Sequence, residues 1–247
     1  MKNRSDAVLL RLLFIVTFTL ISVSCASELK VTDPRTGVEY VIPSRFNNVP
    51  GIEKLAQLCA EKGGREVKQV VSVDGYFDQN KKQCDMDCWD RVSGSRLNYL
   101  EIKVEEPESF HFIKEPGIWE IYKTAIDDPN CHPKIKRFMQ RRKFYKDFIG
   151  TQCLALKKNE QIESQYELSF DYIRTYLPNE YRSRITETRM RVKDLFSGKE
   201  VATQSHYSLM PKHSRLDPGW SFGCGSIGIK HYKTTLESVV FKAKGEQ

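Results

Sequence analysis

Apolar and polar residues alternate with a period of two over much of the chain, a pattern typical of half-buried antiparallel β-strands. In residues 186–193 the alternation puts threonine, methionine and valine on one face and acidic or basic side chains on the other. Segments 166–177, 184–192 and 201–210 are predicted to be strands on this basis. Four earlier segments are also strand-like: 65–73, 96–104, 109–114 and 117–125.

Two segments have helical spacing instead. In residues 51–64 apolar side chains recur at helical intervals, and the glycine pair at 63 and 64 is typical of a helix end. Residues 132–150 combine apolar and basic side chains in the pattern of a second, basic helix. Residues 25–247 are therefore expected to form a single α+β domain, a meandering antiparallel sheet with one long N-terminal helix and this second helix.

One turn pattern occurs twice. Residues 31–39 and 192–200 both match V-x-D-x-x-[ST]-G-x-E, with an aspartate that can bond the backbone and a glycine that accepts positive φ. The flanking residues do not match further. Both segments are therefore interpreted as hairpins with the same turn chemistry rather than as an internal repeat.

The first residues have the composition of an export signal. Three bases among residues 1–11 precede an apolar stretch at 12–23, which is shorter than the roughly 20 residues of a membrane-spanning helix. Cleavage is compatible with two positions, before Ser27 or before Cys25. The second position resembles a bacterial lipobox, with Ser22 where leucine is usual, and would make residues 1–24 the signal peptide and Cys25 a lipid attachment site. That resemblance, with Ala26 following the cysteine, implies an outer-membrane anchor facing the periplasm.

Removal of residues 1–24 lowers the net charge only from +7 to +5, because that segment carries three bases and one acid. This mild excess falls short of the charge that nucleic-acid binding proteins carry, so no nucleic-acid partner is expected. With Cys25 removed or lipidated, an even set of cysteines remains. In an exported chain such a set predicts three disulfides of unknown connectivity, formed by Cys59, Cys84, Cys88, Cys131, Cys153 and Cys224.

Catalytic and cofactor motifs are not evident in the sequence. The histidines do not form a metal-binding pair, and no phosphate loop or nucleophile elbow is present, so neither a cofactor nor a metal is expected. The best nucleophile candidate is Cys224 with His231, seven residues later in a basic stretch that would lower the thiol pKa. A disulfide at Cys224 is the competing interpretation.

The basic helix candidate has three interpretations. It can be an ordinary surface helix, a contact with anionic lipid or glycan, or a docking element for a protein partner. Seven bases lie between Lys134 and Lys146. The side chains proposed for contact with an anionic surface are Lys136, Arg137, Arg141, Arg142 and Lys143.

Two motifs carry a resemblance to a family. Leu58 to Gly63 and the hairpin from Arg189 to Ala202 resemble segments of small proteobacterial envelope proteins with lipoprotein-like leaders. The resemblance implies bacterial origin and export, and it implies no activity or site residues. We therefore expect a non-enzymatic envelope protein, lipid-anchored or periplasmic, that binds or helps to assemble an envelope partner. The alternatives are a periplasmic Cys/His hydrolase or transferase, and an anionic lipid or glycan binder that uses residues 134–146.

If residues 134–146 bind anionic lipid, replacing Arg141, Arg142 and Lys143 with glutamine should abolish binding to anionic vesicles, because the attracting charges are removed. The assay is done at low salt, where exposed charges are screened least. Vesicle co-sedimentation measures this. Binding that is unchanged in the triple variant would rule out contact through this segment.

Overall fold

The computed structural model describes residues 28–84, 91–92, 97–107, 112–132, 152–178, 183–211, 221–229 and 234–244. Of these, 47% lie in strands and 14% in helices. The α-helices are α1 (Ile52–Glu61) and α2 (Leu236–Val240). The strands are β1 (Lys30–Thr32), β2 (Glu39–Val41), β3 (Gly64–Val67), β4 (Val71–Val73), β5 (Gly75–Asp78), β6 (Tyr99–Val104), β7 (Gly117–Ala125), β8 (Gln152–Asn159), β9 (Tyr166–Tyr176), β10 (Arg184–Asp194), β11 (Glu200–Met210), β12 (Phe222–Gly223) and β13 (Phe241–Ala243).

The expectation of an α+β fold with a long N-terminal helix is wrong. The described part of the chain is mostly β, and α1 has only ten residues. It starts after Gly51, which adopts a left-handed conformation, and ends before Lys62. The apolar pattern was correct, since Ile52, Leu55 and Cys59 are buried, but it extends over less than three turns. Residues 133–150, the predicted second helix, lie outside the described residues.

Most of the predicted strands are present. Segments 65–73, 96–104, 117–125, 166–177, 184–192 and 201–210 contain β3 with β4, β6, β7, β9, β10 and β11, respectively. Residues 112–114 of the segment 109–114 are not in a strand, although Ile113 is buried in the core. Strand β8 was not predicted, because its buried residues Cys153, Leu154 and Ala155 are consecutive and do not alternate.

The main sheet consists of two antiparallel units joined by one parallel strand. Its order is β12-β11-β10-β9-β5-β6-β7-β8, with β3 paired to the same β11 that pairs with β12. Strands β9–β11 form one unit and β6–β8 the other. Between them β5 is parallel to both neighbours, and all four of its residues are buried. The predicted all-antiparallel meander is therefore interrupted at β5.

Two hydrophobic cores lie on opposite faces of the β9–β11 unit. Core 1 covers the face of Leu168, Val192 and Ala202, near one end of the three strands. Core 2 contains Ile185 and Leu209, which point to the other face near the other end, and it includes the buried side of α1. Each core covers only one end of its own face of the three strands. The other end of each face is therefore left uncovered.

The two matched turn sequences form the same turn. In the β1–β2 hairpin, Gly37 N–H donates to the Asp33 carbonyl at 2.8 Å with φ +72°. In the β10–β11 hairpin, Gly198 N–H donates to the Asp194 carbonyl, also at 2.8 Å, with φ +70°. A residue with a Cβ rarely adopts this φ, which explains the glycine in both motifs. The interpretation as shared turn chemistry is confirmed.

Disulfide bonds join separate elements of the fold. Cys59 of α1 is bonded to Cys224, which begins the 3₁₀ turn after β12, and both cysteines are buried in core 2. Cys131 is bonded to Cys153 at the start of β8. Cys84 is disulfide-bonded as well, and its partner lies outside the described residues. The prediction of disulfides is thus confirmed for these cysteines.

The two described disulfides are predicted to stabilise the fold unequally. The chain-entropy estimate gives about 5 kcal/mol for Cys59–Cys224, with cysteines 165 residues apart, and about 3 kcal/mol for Cys131–Cys153, 22 apart. We expect Cys59→Ala/Cys224→Ala to lower the free energy of unfolding more than Cys131→Ala/Cys153→Ala. Urea denaturation of the two double variants beside the parent measures the difference. The reverse order would show that loop closure does not govern these disulfides.

Candidate functional site

The cysteine proposed as a nucleophile has no thiol in this structure. Cys224 is 2% exposed, and its sulfur is bonded to Cys59. The backbone of Cys224 is also held in place, because Ile229 N–H donates to its carbonyl. His231, its proposed base, lies outside the described residues. The arrangement that nucleophilic catalysis requires is thus not built at Cys224 in the oxidised chain.

Three further sequence predictions concern residues outside the described part of the chain. They are the lipid attachment at Cys25, the disulfide candidate Cys88, and the basic residues Lys136, Arg137, Arg141, Arg142 and Lys143. The structure does describe the flanks of the basic segment. The Cys131–Cys153 disulfide holds these flanks together, with their Cα atoms 5.6 Å apart.

The most buried ion pair lies at the end of β5. Asp78 is 1% exposed, and Arg91 Nη1 donates to its Oδ2 at 2.6 Å. Backbone N–H groups of Asn80 and Lys81 donate to the other oxygen. Burial raises the pKa of Asp78, an effect that Arg91 opposes. Because both oxygens of the buried carboxylate are engaged, this pair serves to hold the fold rather than to bind a ligand.

A second buried carboxylate anchors the loop between β8 and β9. Glu101 is fully buried and accepts hydrogen bonds from Ser164 N–H at 2.9 Å and Asn159 Nδ2 at 3.1 Å. Glu163 N–H donates to both of its oxygens at 3.1 Å. These donors fix the loop conformation and leave the carboxylate inaccessible, so its function is also structural.

A polar cavity of about 400 Å³ lies beside the end of α1. Its lining includes Asp33, Arg35, Lys62, Glu66, Thr203 and Ser205. Arg35 is already engaged, because its Nη2 donates to the carbonyls of Ala60 and Gly63 and its Nε to Asp33. The arginine thereby connects the β1–β2 turn to the end of α1, and the cavity lies beside that contact.

The uncovered half-face of β9–β11 on the cavity side is self-neutralising. We call it the ion-paired face: Asp171, Glu187, Arg189, Arg191, Thr203 and Ser205. Arg189 Nη2 donates to Glu187 at 2.6 Å, and Arg191 pairs with Asp171. Burial raises the pKa of neighbouring Tyr207 to about 12, and the Glu187 carboxylate adds to that effect. Opposite charges thus satisfy one another within this surface.

The other uncovered half-face has a different composition. We call it the tyrosine face, and strand register arranges it in three rows across β9, β10 and β11. The rows are Tyr172–Thr188–His206, Arg174–Thr186–Ser208 and Tyr176–Arg184–Met210. Neighbouring strands are about 4.8 Å apart, and alternate residues along a strand are about 7 Å apart.

The tyrosine face is basic and is most exposed along β9, because its residues on β10 are half-buried. Tyr172 is 66% exposed and Tyr176 is 62% exposed, values that are high for aromatic rings. Arg174 has no ion-pair partner among the described residues, and Arg184 contacts the Met210 sulfur. At the rim, a Cβ at Gly223 would lie 2.8 Å from His206 Nε2, so the glycine leaves room for the imidazole.

The described residues contain neither a candidate membrane-spanning helix nor a candidate metal-binding cluster. No α-helix in these ranges is long and apolar enough to cross a membrane. No cluster of three or more histidine, cysteine, aspartate or glutamate side chains that could hold a metal ion occurs in the same ranges.

Comparison of the chain with protein-family models, with curated proteins and with solved structures gave no match.

Sequence reasoning did not identify the tyrosine face, although part of the signal was visible. Alternation placed Thr186 and Thr188 on one side of β10 and Glu187, Arg189 and Arg191 on the other, as the register confirms. The same alternation aligns Tyr172, Arg174 and Tyr176 on one side of β9. What the pattern could not indicate is where core 1 ends and the exposed half begins.

The raised pKa of Tyr207 predicts a stability loss at alkaline pH. Its folded-state pKa of about 12 exceeds the ordinary value of 10.0, so the unfolded chain loses this proton first as pH rises. The stabilisation is complete below pH 10 and is lost between about 10 and about 12. We expect Tyr207→Phe to flatten the fall in unfolding free energy over this range, measured by urea denaturation at several pH values. Tyr172→Phe on the surface is the control, and an unchanged slope in Tyr207→Phe would contradict the assignment.

Proposed function

We propose that this chain is an exported envelope protein, lipid-anchored through Cys25, that acts as a non-enzymatic binding or assembly accessory. Its binding surface is the tyrosine face, and its partner is a component of the envelope. The proposal combines the leader composition, the disulfides and one open, unneutralised surface.

Disulfide pairing supports the exported location. Cys59, Cys84, Cys131, Cys153 and Cys224 are all disulfide-bonded. Structural disulfides persist in oxidising compartments and are rare where glutathione and thioredoxin keep thiols reduced. The basic, apolar and small-residue order of residues 1–24 supports export independently.

The exposure of Tyr172 and Tyr176 is the observation that carries the binding role. Both rings stand on a rigid strand that is hydrogen-bonded along its length to β10. Rings held on a rigid element bind with little loss of conformational entropy. Exposed rings on a sheet surface suit an extended partner, whereas the reactions of small substrates need a concave, water-excluding cleft.

The basic segment at residues 134–146 is a second proposed contact, with anionic lipid next to the anchor. The Cys131–Cys153 disulfide supports this by joining the flanks of the segment at the start of β8. A lipid anchor and a basic patch together provide the two signals that stable membrane attachment requires.

Intact mass of the mature protein tests export and anchoring together. We expect a chain that begins at Cys25 and carries acyl groups, and a mass gain on reduction that counts the disulfides. Cys25→Ser is the matched control and should give a protein without acyl groups that leaves the membrane fraction. An uncleaved, reduced chain in the cytosol would overturn the proposal.

A further inference from the structure

The two uncovered half-faces of the same three strands differ sharply in charge. On the ion-paired face each described arginine meets a carboxylate. The tyrosine face has Arg174, Arg184 and His206 and, among the described residues, no carboxylate. Arg174 and Arg184 have no carboxylate partner among the described residues, and two such guanidinium groups present a site for an anionic ligand.

The aromatic rings flank the cation on one strand. Tyr172 and Tyr176 are four residues apart on β9, which separates their Cα atoms by about 13 Å, and Arg174 lies between them on the same face. A ligand that runs along β9 would therefore meet a ring, a guanidinium and a second ring in succession. That order suits a chain of repeating units, each with an apolar face and some with a negative charge.

The centre of the tyrosine face is rich in hydroxyl groups. Thr186 and Thr188 lie on the middle strand, and Ser208 lies beside Thr186 on β11. A protein interface normally has an apolar centre and a polar rim. Here the rings are at one edge and the hydroxyls are in the middle, which is the reverse arrangement. Hydroxyls that both donate and accept suit a partner that is itself rich in hydroxyl groups.

We propose that the tyrosine face binds an acidic glycan, a sugar chain that carries carboxylate or phosphate groups. Tyr172 and Tyr176 stack against the apolar faces of two sugar rings. Arg174 and Arg184 pair with the acidic groups, since a guanidinium matches carboxylate and phosphate oxygens in a bidentate manner. Thr186 and Thr188 hydrogen-bond the sugar hydroxyls. The inference deepens the proposed function by naming the partner class of that surface.

Titration of the mature chain with two acidic glycans tests this. Polygalacturonate supplies carboxylates, and lipopolysaccharide core oligosaccharide supplies phosphates, so the two distinguish the kind of acid that is preferred. We expect binding to at least one of them and none to neutral dextran, with affinity that falls as salt rises. Tyr172→Ala/Arg174→Gln/Tyr176→Ala should weaken binding about tenfold or more.

The matched control removes a ring and a cation elsewhere. Phe196→Ala/Lys199→Gln changes an exposed ring and a lysine in the β10–β11 turn, and it should leave the affinity unchanged. Circular dichroism and thermal unfolding establish that each variant folds.

Several outcomes would overturn the proposal. They are failure of both acidic glycans to bind, equal effects of the control and the triple variant, or tighter binding to single-stranded DNA or phosphatidylglycerol vesicles through the same residues. None of these outcomes depends on export. A chain that is exported and anchored but binds no acidic glycan would refute this inference alone, whereas a cytosolic chain would refute the proposed function.

Discussion

Asp78 closes the four-residue strand β5, which is parallel to β6 on one side and to β9 on the other. Its buried carboxylate is held by Arg91 and by two backbone N–H groups. Two residues earlier, Tyr76 stacks on Phe241 with ring centroids 4.8 Å apart, and burial together with the Glu237 carboxylate raises its pKa. This one strand joins both antiparallel units to the C-terminal segment. A buried charge that lost its partner would cost several kcal/mol, so the whole sheet depends on the pair.

The position of the two cores then determines which surfaces are available. Core 1 and core 2 cover opposite faces at opposite ends of β9–β11, and each strand therefore passes from buried to exposed on the same face. In β9 the change occurs between Phe170, which packs against core 1, and Tyr172. The rigidity of the buried half extends to the exposed half through continuous hydrogen bonding with β10. This is why exposed rings can be held in fixed positions.

Core 2 depends on a covalent constraint. Its α-helix, α1, has ten residues, and isolated helices of that length are marginal in water. Packing of Leu55 and Cys59 against the sheet and the bond to Cys224 keep it in place. Arg35 adds a third attachment by donating to the carbonyls of Ala60 and Gly63 at the end of the helix. An oxidising compartment is therefore consistent with the way this half of the molecule is built.

Local patterns in the sequence determined much of the secondary structure. The period of two identified β9, β10 and β11 and separated their faces, because alternate side chains of a strand always point to opposite sides. The shared motif at Asp33 and Asp194 identified both hairpins, since the turn depends on the chemistry of a few adjacent residues. The helical content was overestimated. An amphipathic pattern indicates where a helix lies, but it does not indicate how large a share of the fold is helical.

Long-range packing decided the rest. The parallel pairing of β5 brings Asp78 next to Leu168, 90 residues later, and no local pattern encodes such a contact. The partner of Cys224 was likewise undetermined until the fold brought it next to Cys59, 165 residues away. The tyrosine face exists because core 1 stops short of Tyr172. Where a core stops depends on the elements that pack against the sheet, and so the sequence determined which residues share a face, whereas only the tertiary structure decided which face remains open.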